Sequence, residues 1–215
     1  MINQSILYSA LDWLFPESCS ICRQAFGFVS EKQICVPCWE KIFQPQRIIF
    51  PHKKDCFVFS AGAYQSELKR TLIKAKFKHH ERSIDALHWL MSKTLDRIPT
   101  KYDVITSVPS NYWRSMIRGV DLPATLAREL SKTTGIPFQH DLIQKTKYAK
   151  RQTKLTKTDR LKNIRKVFKA SDQIRGQHVL VIDDIITTGS TILACYGAIT
   201  KQKPSQVTFL TAAKA

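Results

Sequence analysis

The segment Val179-Leu-Val-Ile-Asp183-Asp184-Ile-Ile-Thr187-Thr188-Gly189-Ser190-Thr191 constrains the fold more than any other stretch of this 215-residue chain. Four successive apolar residues predict a strand covered on both faces, the habit of parallel sheets in α/β proteins. Two acids follow at once. Adjacent carboxylates are costly to bury without partners, so they belong at the strand's carboxyl end, where an open α/β sheet forms its ligand crevice. Hydroxyl side chains then surround Gly189 at the start of a predicted helix, Ser190 to Lys201. Glycine permits a tight turn, and backbone N–H groups at the positive end of a helix dipole suit a phosphate. The chain contains neither G-x-x-x-x-G-K-[ST] nor G-x-G-x-x-G, which argues against the P-loop and dinucleotide-binding readings of such a strand.

Strands and helices alternate beyond residue 50, so the class is α/β with a mostly parallel sheet flanked by helices. The pattern predicts strands over Phe57 to Ala63, Val104 to Val108, His178 to Ile182 and Gln206 to Thr211. It predicts helices over Ser66 to Phe77 and Arg82 to Arg97, and a third from an Asp121 N-cap to about Thr134, stopped by Gly135 and Pro137. Lys145 to Lys169 has no clear periodicity. The division expected is an N-terminal module over 1–50 and the α/β domain over 51–215.

The N-terminal module announces itself through Cys19-x-x-Cys22 and Cys35-x-x-Cys38. Two such pairs have the spacing of a four-thiolate structural zinc site, each pair wrapping a knuckle around one tetrahedral ion. With all four positions filled, no coordination site remains for water or substrate. Two disulfides or redox-active thiols are the alternative. Cys56 and Cys195 read as small core residues. The apolar run Ile6 to Phe15 lacks the basic flank of a secretion signal, since the first Lys or Arg is Arg23, and reads as an amphipathic helix, Ser5 to Leu14. No apolar run approaches the roughly 18 residues of a membrane span. The expected compartment is the cytoplasm.

Residues 179–191 resemble the PRPP-binding loop of type I phosphoribosyltransferases: four apolar residues, two acids, two more residues, then T-T-G-x-T. The resemblance implies that Asp183 and Asp184 hold the ribose hydroxyls, and that Thr187, Thr188, Gly189, Ser190 and Thr191 cradle the 5′-phosphate. It also implies magnesium accompanying PRPP. Basic donors would face the leaving pyrophosphate. Ser110, Arg114 and Arg118, in the loop after Val108-Pro109, are the candidates, and a lid would fall in Lys145 to Lys169.

Three further stretches, "LDWLFPESCSIC" with "CVPCW", "VPSNYWRSMIRG" and "KRQTKLTKTDRLKNIRKVF", occur in the order found in the ComF family. Its members join a zinc ribbon to a phosphoribosyltransferase-like domain. The chain departs from the family where Arg118-Gly119 continues as Val120-Asp121-Leu122 instead of Phe-Asn-Gln.

The formal charge is +17, from 34 Lys and Arg against 17 Asp and Glu. Lys145 to Lys169 holds eleven basic residues against Asp159, and Lys69 to Arg82 holds six against Glu81, so the two stretches carry +15 of it. Charge this concentrated exceeds what one phosphoribosyl ligand needs and suits several nucleic-acid phosphates. The candidate DNA contacts are Lys145, Lys147, Lys150, Arg151, Lys154, Lys157, Lys69, Arg70 and Lys74. Tyr112, Trp113, Tyr148 and Phe168 lie nearby as aromatics able to stack on unpaired bases. The resemblance implies a cytoplasmic DNA-uptake protein of natural transformation, binding single-stranded DNA and PRPP or ribose 5-phosphate, with a helicase among possible partners. The alternative is an active phosphoribosyltransferase acting on a nucleobase or amine. No catalytic residue is assigned.

Overall fold

The computed structural model describes residues 18–25, 34–50, 53, 55–77, 80–110, 116–146 and 167–215. Helix α1 covers Val36–Ile42, followed by strands β1, Gln46–Ile48, and β2, Cys56–Ser60. Helices α2, Ser66–Ala75, and α3, Glu81–Leu95, lead to β3, Val104–Ser107, and then α4, Leu122–Thr134. After β4, Ile143–Lys145, and β5, Phe168–Ala170, come β6, His178–Ile186, α5, Ser190–Ile199, and β7, Gln206–Lys214. The main sheet has the order β1-β2-β7-β6-β3, with β2, β7, β6 and β3 parallel and β1 antiparallel at the edge.

The apolar run of β6 is buried on both sides, as its composition requires. Alternate residues enter different cores: Leu180 and Ile182 pack with Leu72, Leu87, Leu90 and Leu126 from α2, α3 and α4. Val179 and Val181 pack with Phe209 and with Ile192, Cys195 and Ile199 of α5. Burying a side chain of this kind stabilises by about 1.5–3 kcal/mol, so a one-residue slip of β6 would exchange its two buried sets between cores already shaped for the other. Cys56 and Cys195 are both core residues.

Helix α4 shows local sequence acting directly. Asp121 accepts a hydrogen bond from the Ala124 N–H, Pro123 stands in the first turn, and Gly135 closes the helix at φ 73°. Other boundaries move. Strand β6 runs four residues past Ile182, because its pairing with β7 continues through Asp183↔Thr211 to Ile186↔Lys214. Helix α5 ends at Ile199 and a 3-10 turn takes Thr200–Gln202. Three-residue strands β1, β4 and β5 carry no alternation to reveal them. The last two pair at the ends of the aperiodic stretch, with Lys145 opposite Phe168. The predicted helix Ser5 to Leu14 lies outside the described residues.

The cysteine module is continuous with the larger core. Cys19, Ile34, Cys38 and Ile42 are buried in the same cluster as α2, α3 and α4. Trp39 stacks on Phe43 with ring centroids 3.8 Å apart and meets Trp89 of α3 edge-on at 4.3 Å. Arg82 donates to Ser18 Oγ at 2.9 Å. Among the described residues no helix is long and apolar enough to cross a membrane.

Candidate functional site

The sheet's connections diverge around β6. Helix α4 follows β3 on one face, whereas α5 follows β6 on the other, so the two loops part and leave a crevice at the strands' carboxyl ends. Register fixes which residues enter it. Ser107 of β3 pairs with Ile182, and the Val108 N–H donates to the Ile182 carbonyl, so β3 ends one step before Asp183. The resulting cleft has a volume of about 280 Å³, and its walls include Asp183, Asp184, Thr191, Ser110, Arg118 and Lys145.

The two acids differ in environment. Asp183 is buried, its Oδ1 accepts the Asp184 N–H at 2.9 Å, and burial together with the neighbouring Asp184 charge raises its pKa well above the usual carboxylate value. Asp184 is ionically paired: Lys76 Nζ lies 2.6 Å from its Oδ2, with both side chains largely buried, and its Oδ1 accepts the Ile185 N–H. Sequence reasoning counted Lys76 only within a basic stretch, because nothing local marks which lysine of α2 reaches β6.

Thr187, Thr188, Ser190 and Thr191 are exposed at the rim, and Gly189 is buried beneath them. Gly189 adopts φ 74°, and a Cβ there would run into the Phe50 ring, so the turn demands glycine for conformation and for space. No side chain caps α5 at this end, and the Thr188 hydroxyl bonds the Ser190 hydroxyl at 3.1 Å. Thr191 of this turn lines the cleft itself, and Ser190 joins it in an adjoining hollow with Pro109 and Lys145. Across the cleft, Ser110 Oγ donates to Asp121 Oδ1 at 2.7 Å, giving that acid a second task beyond capping α4.

Apart from Thr187, Thr188, Gly189 and Ser190 of the turn just described, the sequence candidates divide in three. Asp183, Asp184, Thr191, Ser110, Arg118 and Lys145 converge on the cleft. Lys69, Arg70 and Lys74 lie exposed on α2. Arg114, Lys147, Lys150, Arg151, Lys154 and Lys157, with Tyr112, Trp113, Tyr148 and most of the expected lid, lie outside the described residues. Phe168 corrects one expectation: at 8% exposure within β5 it is a core residue and offers no face for a base. Phe77, half exposed beside Ile73 at the end of α2, is the aromatic that sequence reasoning passed over; its i, i+4 spacing from Ile73 was the available signal.

The four sulfurs of Cys19, Cys22, Cys35 and Cys38 lie within 4.8 Å of one another, and those of Cys22 and Cys35 are 3.7 Å apart. A tetrahedral ion with Zn–S near 2.3 Å needs sulfurs about 3.8 Å apart, so the set fits structural zinc. The first knuckle turns through Arg23 at φ 65°, and the Ile21 and Cys35 N–H groups both point to Cys19 Sγ at 3.4 Å. Burial alone would raise the Cys19 thiol, but the backbone N–H of Cys22, followed by those of Cys35 and Ile21, brings it down to about 7. Cys35 and Cys38 are pushed up, first by burial and then by neighbouring sulfurs. Four crowded thiolates require a cation among them.

The acid pair does not fit a divalent ion in the same way, because Asp184 Oδ2 is taken by Lys76 and Asp183 is buried against its neighbour.

Residues 75–215 match the phosphoribosyl transferase domain family, and residues 10–57 match the double zinc ribbon domain. Competence protein ComFC of Bacillus subtilis (strain 168) is 27% identical over 209 residues, covering 88% of this chain and 81% of the relative. Competence protein F of Haemophilus influenzae is 29% identical over 93 residues, and DNA utilization protein YhgH of Escherichia coli (strain K12) is 29% identical over 90. The matches to these last two cover 42% of this chain and 41% and 40% of their own lengths.

Proposed function

Because this chain belongs to the phosphoribosyl transferase domain family, as a ComF member joining that domain to a zinc ribbon, we propose that it receives single-stranded DNA in the cytoplasm during DNA uptake. On this reading the crevice binds a phosphoribosyl group, PRPP or ribose 5-phosphate. The observation that carries the proposal is the convergence of Asp183, Asp184 and Thr191 with Ser110, Arg118 and Lys145 on one cleft. The acids suit ribose hydroxyls, the turn of Thr187 to Thr191 suits the 5′-phosphate, and Ser110 with Arg118 suits a pyrophosphate opposite. Magnesium would enter on the diphosphate of PRPP, since the acid pair is occupied by Lys76.

Lys145 stands in the cleft wall and is the first residue of the basic stretch in sequence, whose Lys147, Lys150, Arg151, Lys154 and Lys157 are the proposed DNA contacts. Lys69, Arg70, Lys74 and Phe77 supply a second exposed basic surface with one aromatic ring, on the helix that ends at Lys76. A helicase of the uptake machinery is a partner consistent with this role.

The experiment pairs two measurements on one preparation. Fluorescently labelled single strands should bind with an affinity that falls steeply with salt, and Lys150, Arg151 and Lys154 to Ala together should flatten that slope by up to about two log units per log unit of salt. An unchanged slope removes the basic stretch from the DNA surface. PRPP with a panel of nucleobases and amines should bind without releasing pyrophosphate; turnover with any acceptor establishes the active phosphoribosyltransferase instead.

A further inference from the structure

We propose that Lys76 is the resident cation of the phosphoribosyl pocket: its ammonium neutralises Asp184, so the crevice accepts a sugar phosphate without a divalent ion at the acid pair. The inference deepens the preceding reading and rests on it. Geometry carries it. Lys76 is the C-cap residue of α2, and its N–H bonds the Ile73 and Lys74 carbonyls. Leu68, Thr71, Leu72 and Ala75 bury the helix and fix that backbone position. Its Nζ reaches Asp184 Oδ2 at 2.6 Å inside the cleft wall. Pairs of this kind, short and largely removed from water, are the strong charge-assisted ones.

Charge bookkeeping around the cleft points the same way. Its walls hold Lys76, Arg118 and Lys145 against Asp183 and Asp184. Lys76 cancels Asp184, and burial beside Asp184 favours the neutral form of Asp183, leaving Arg118 and Lys145 to make the cleft attractive to an anion. Residues 187–191 then offer hydroxyls and the start of α5 to the phosphate without competition from uncompensated carboxylates. A lysine at a helix C-terminus also faces the negative end of the α2 dipole, which holds its charge where the pair needs it.

Ribose 5-phosphate, which has no diphosphate to carry a metal in, is the discriminating probe. Isothermal titration of the full-length, zinc-loaded protein should give the same affinity in magnesium and in magnesium-free buffer. Lys76→Met should weaken binding about tenfold or more in magnesium-free buffer and recover part of the loss when magnesium is added, while Lys76→Arg retains most of the affinity. Thermal unfolding of each variant, together with the Lys76→Met/Asp184→Asn pair, separates pocket effects from loss of fold. The inference is overturned if Lys76→Met binds as well as or better than the parent, or if the parent requires magnesium. If the parent binds neither ribose 5-phosphate nor PRPP, the phosphoribosyl reading falls with it.

Discussion

The four-cysteine cluster and the crevice beyond β6 both crowd acidic groups, and they relieve the crowding by different means. At the cluster, burial and neighbouring sulfurs push the Cys35 and Cys38 thiols up, and the four sulfurs converge at the spacing a metal ion needs to supply the compensation. At the crevice, Lys76 from another element pairs with Asp184, and Asp183 is pushed toward its neutral form. A site made from nearby residues imports its cation, whereas a site made from distant elements contains one.

Removing the metal should produce the largest break in this comparison. Zinc sites of this type contribute an apparent ~10–16 kcal/mol in small modules, so a chelator should release the segment around Cys19 to Cys38 while the five-stranded sheet persists. Tryptophan fluorescence and amide exchange read the difference, and unchanged protection over 18–43 would contradict the site. Trp89→Ala comes next. It removes the edge contact that seats Trp39 on α3 and should cost about 3 kcal/mol, measured by urea unfolding, with ribose 5-phosphate affinity little changed in the folded fraction.

Gly189→Ala should act at the crevice alone. A left-handed conformation costs a residue with a side chain about 1–2 kcal/mol, and the added methyl meets Phe50. Weaker phosphate binding is expected, partly restored by Phe50→Ala; full affinity in Gly189→Ala would show that the turn is not strained by a side chain. The smallest effect is one of pH. Asp183 has a raised folded-state pKa, so above the unfolded value of 3.8 folding suppresses its ionisation and stability declines as pH rises toward the folded pKa. Asp183→Asn should therefore raise the melting temperature at neutral pH, with the gain shrinking toward pH 4, and should lose ribose binding. Such a trade of stability for function fits a binding acid.

Much of this architecture was legible because it is local. The CxxC spacing located the metal site, Asp121 and Gly135 bounded α4, and the apolar run ending in two acids placed β6 and the crevice. The pairing that extends β6 to Ile186 was not, since Asp183 and Asp184 are poor strand formers that interrupt the apolar pattern, and it is the ladder with β7 that carries the strand past them. Phe168 misled for a related reason: a strand pairing with Ile143 to Lys145 turns its ring into the core, and a lone aromatic in a basic stretch does not show which way it faces.

By itself the sequence determined the metal-binding spacing, the glycine turn that opens α5 and the concentration of basic residues in two stretches, because each depends on residues within one short segment. The tertiary structure alone decided that Lys76 meets Asp184, that Ser110 leans on Asp121, that Phe50 covers Gly189 and that the cysteine module shares its core with α3. Those contacts join residues far apart in the chain, where only the closing of the sheet and the packing of helices on its faces bring complementary groups within reach.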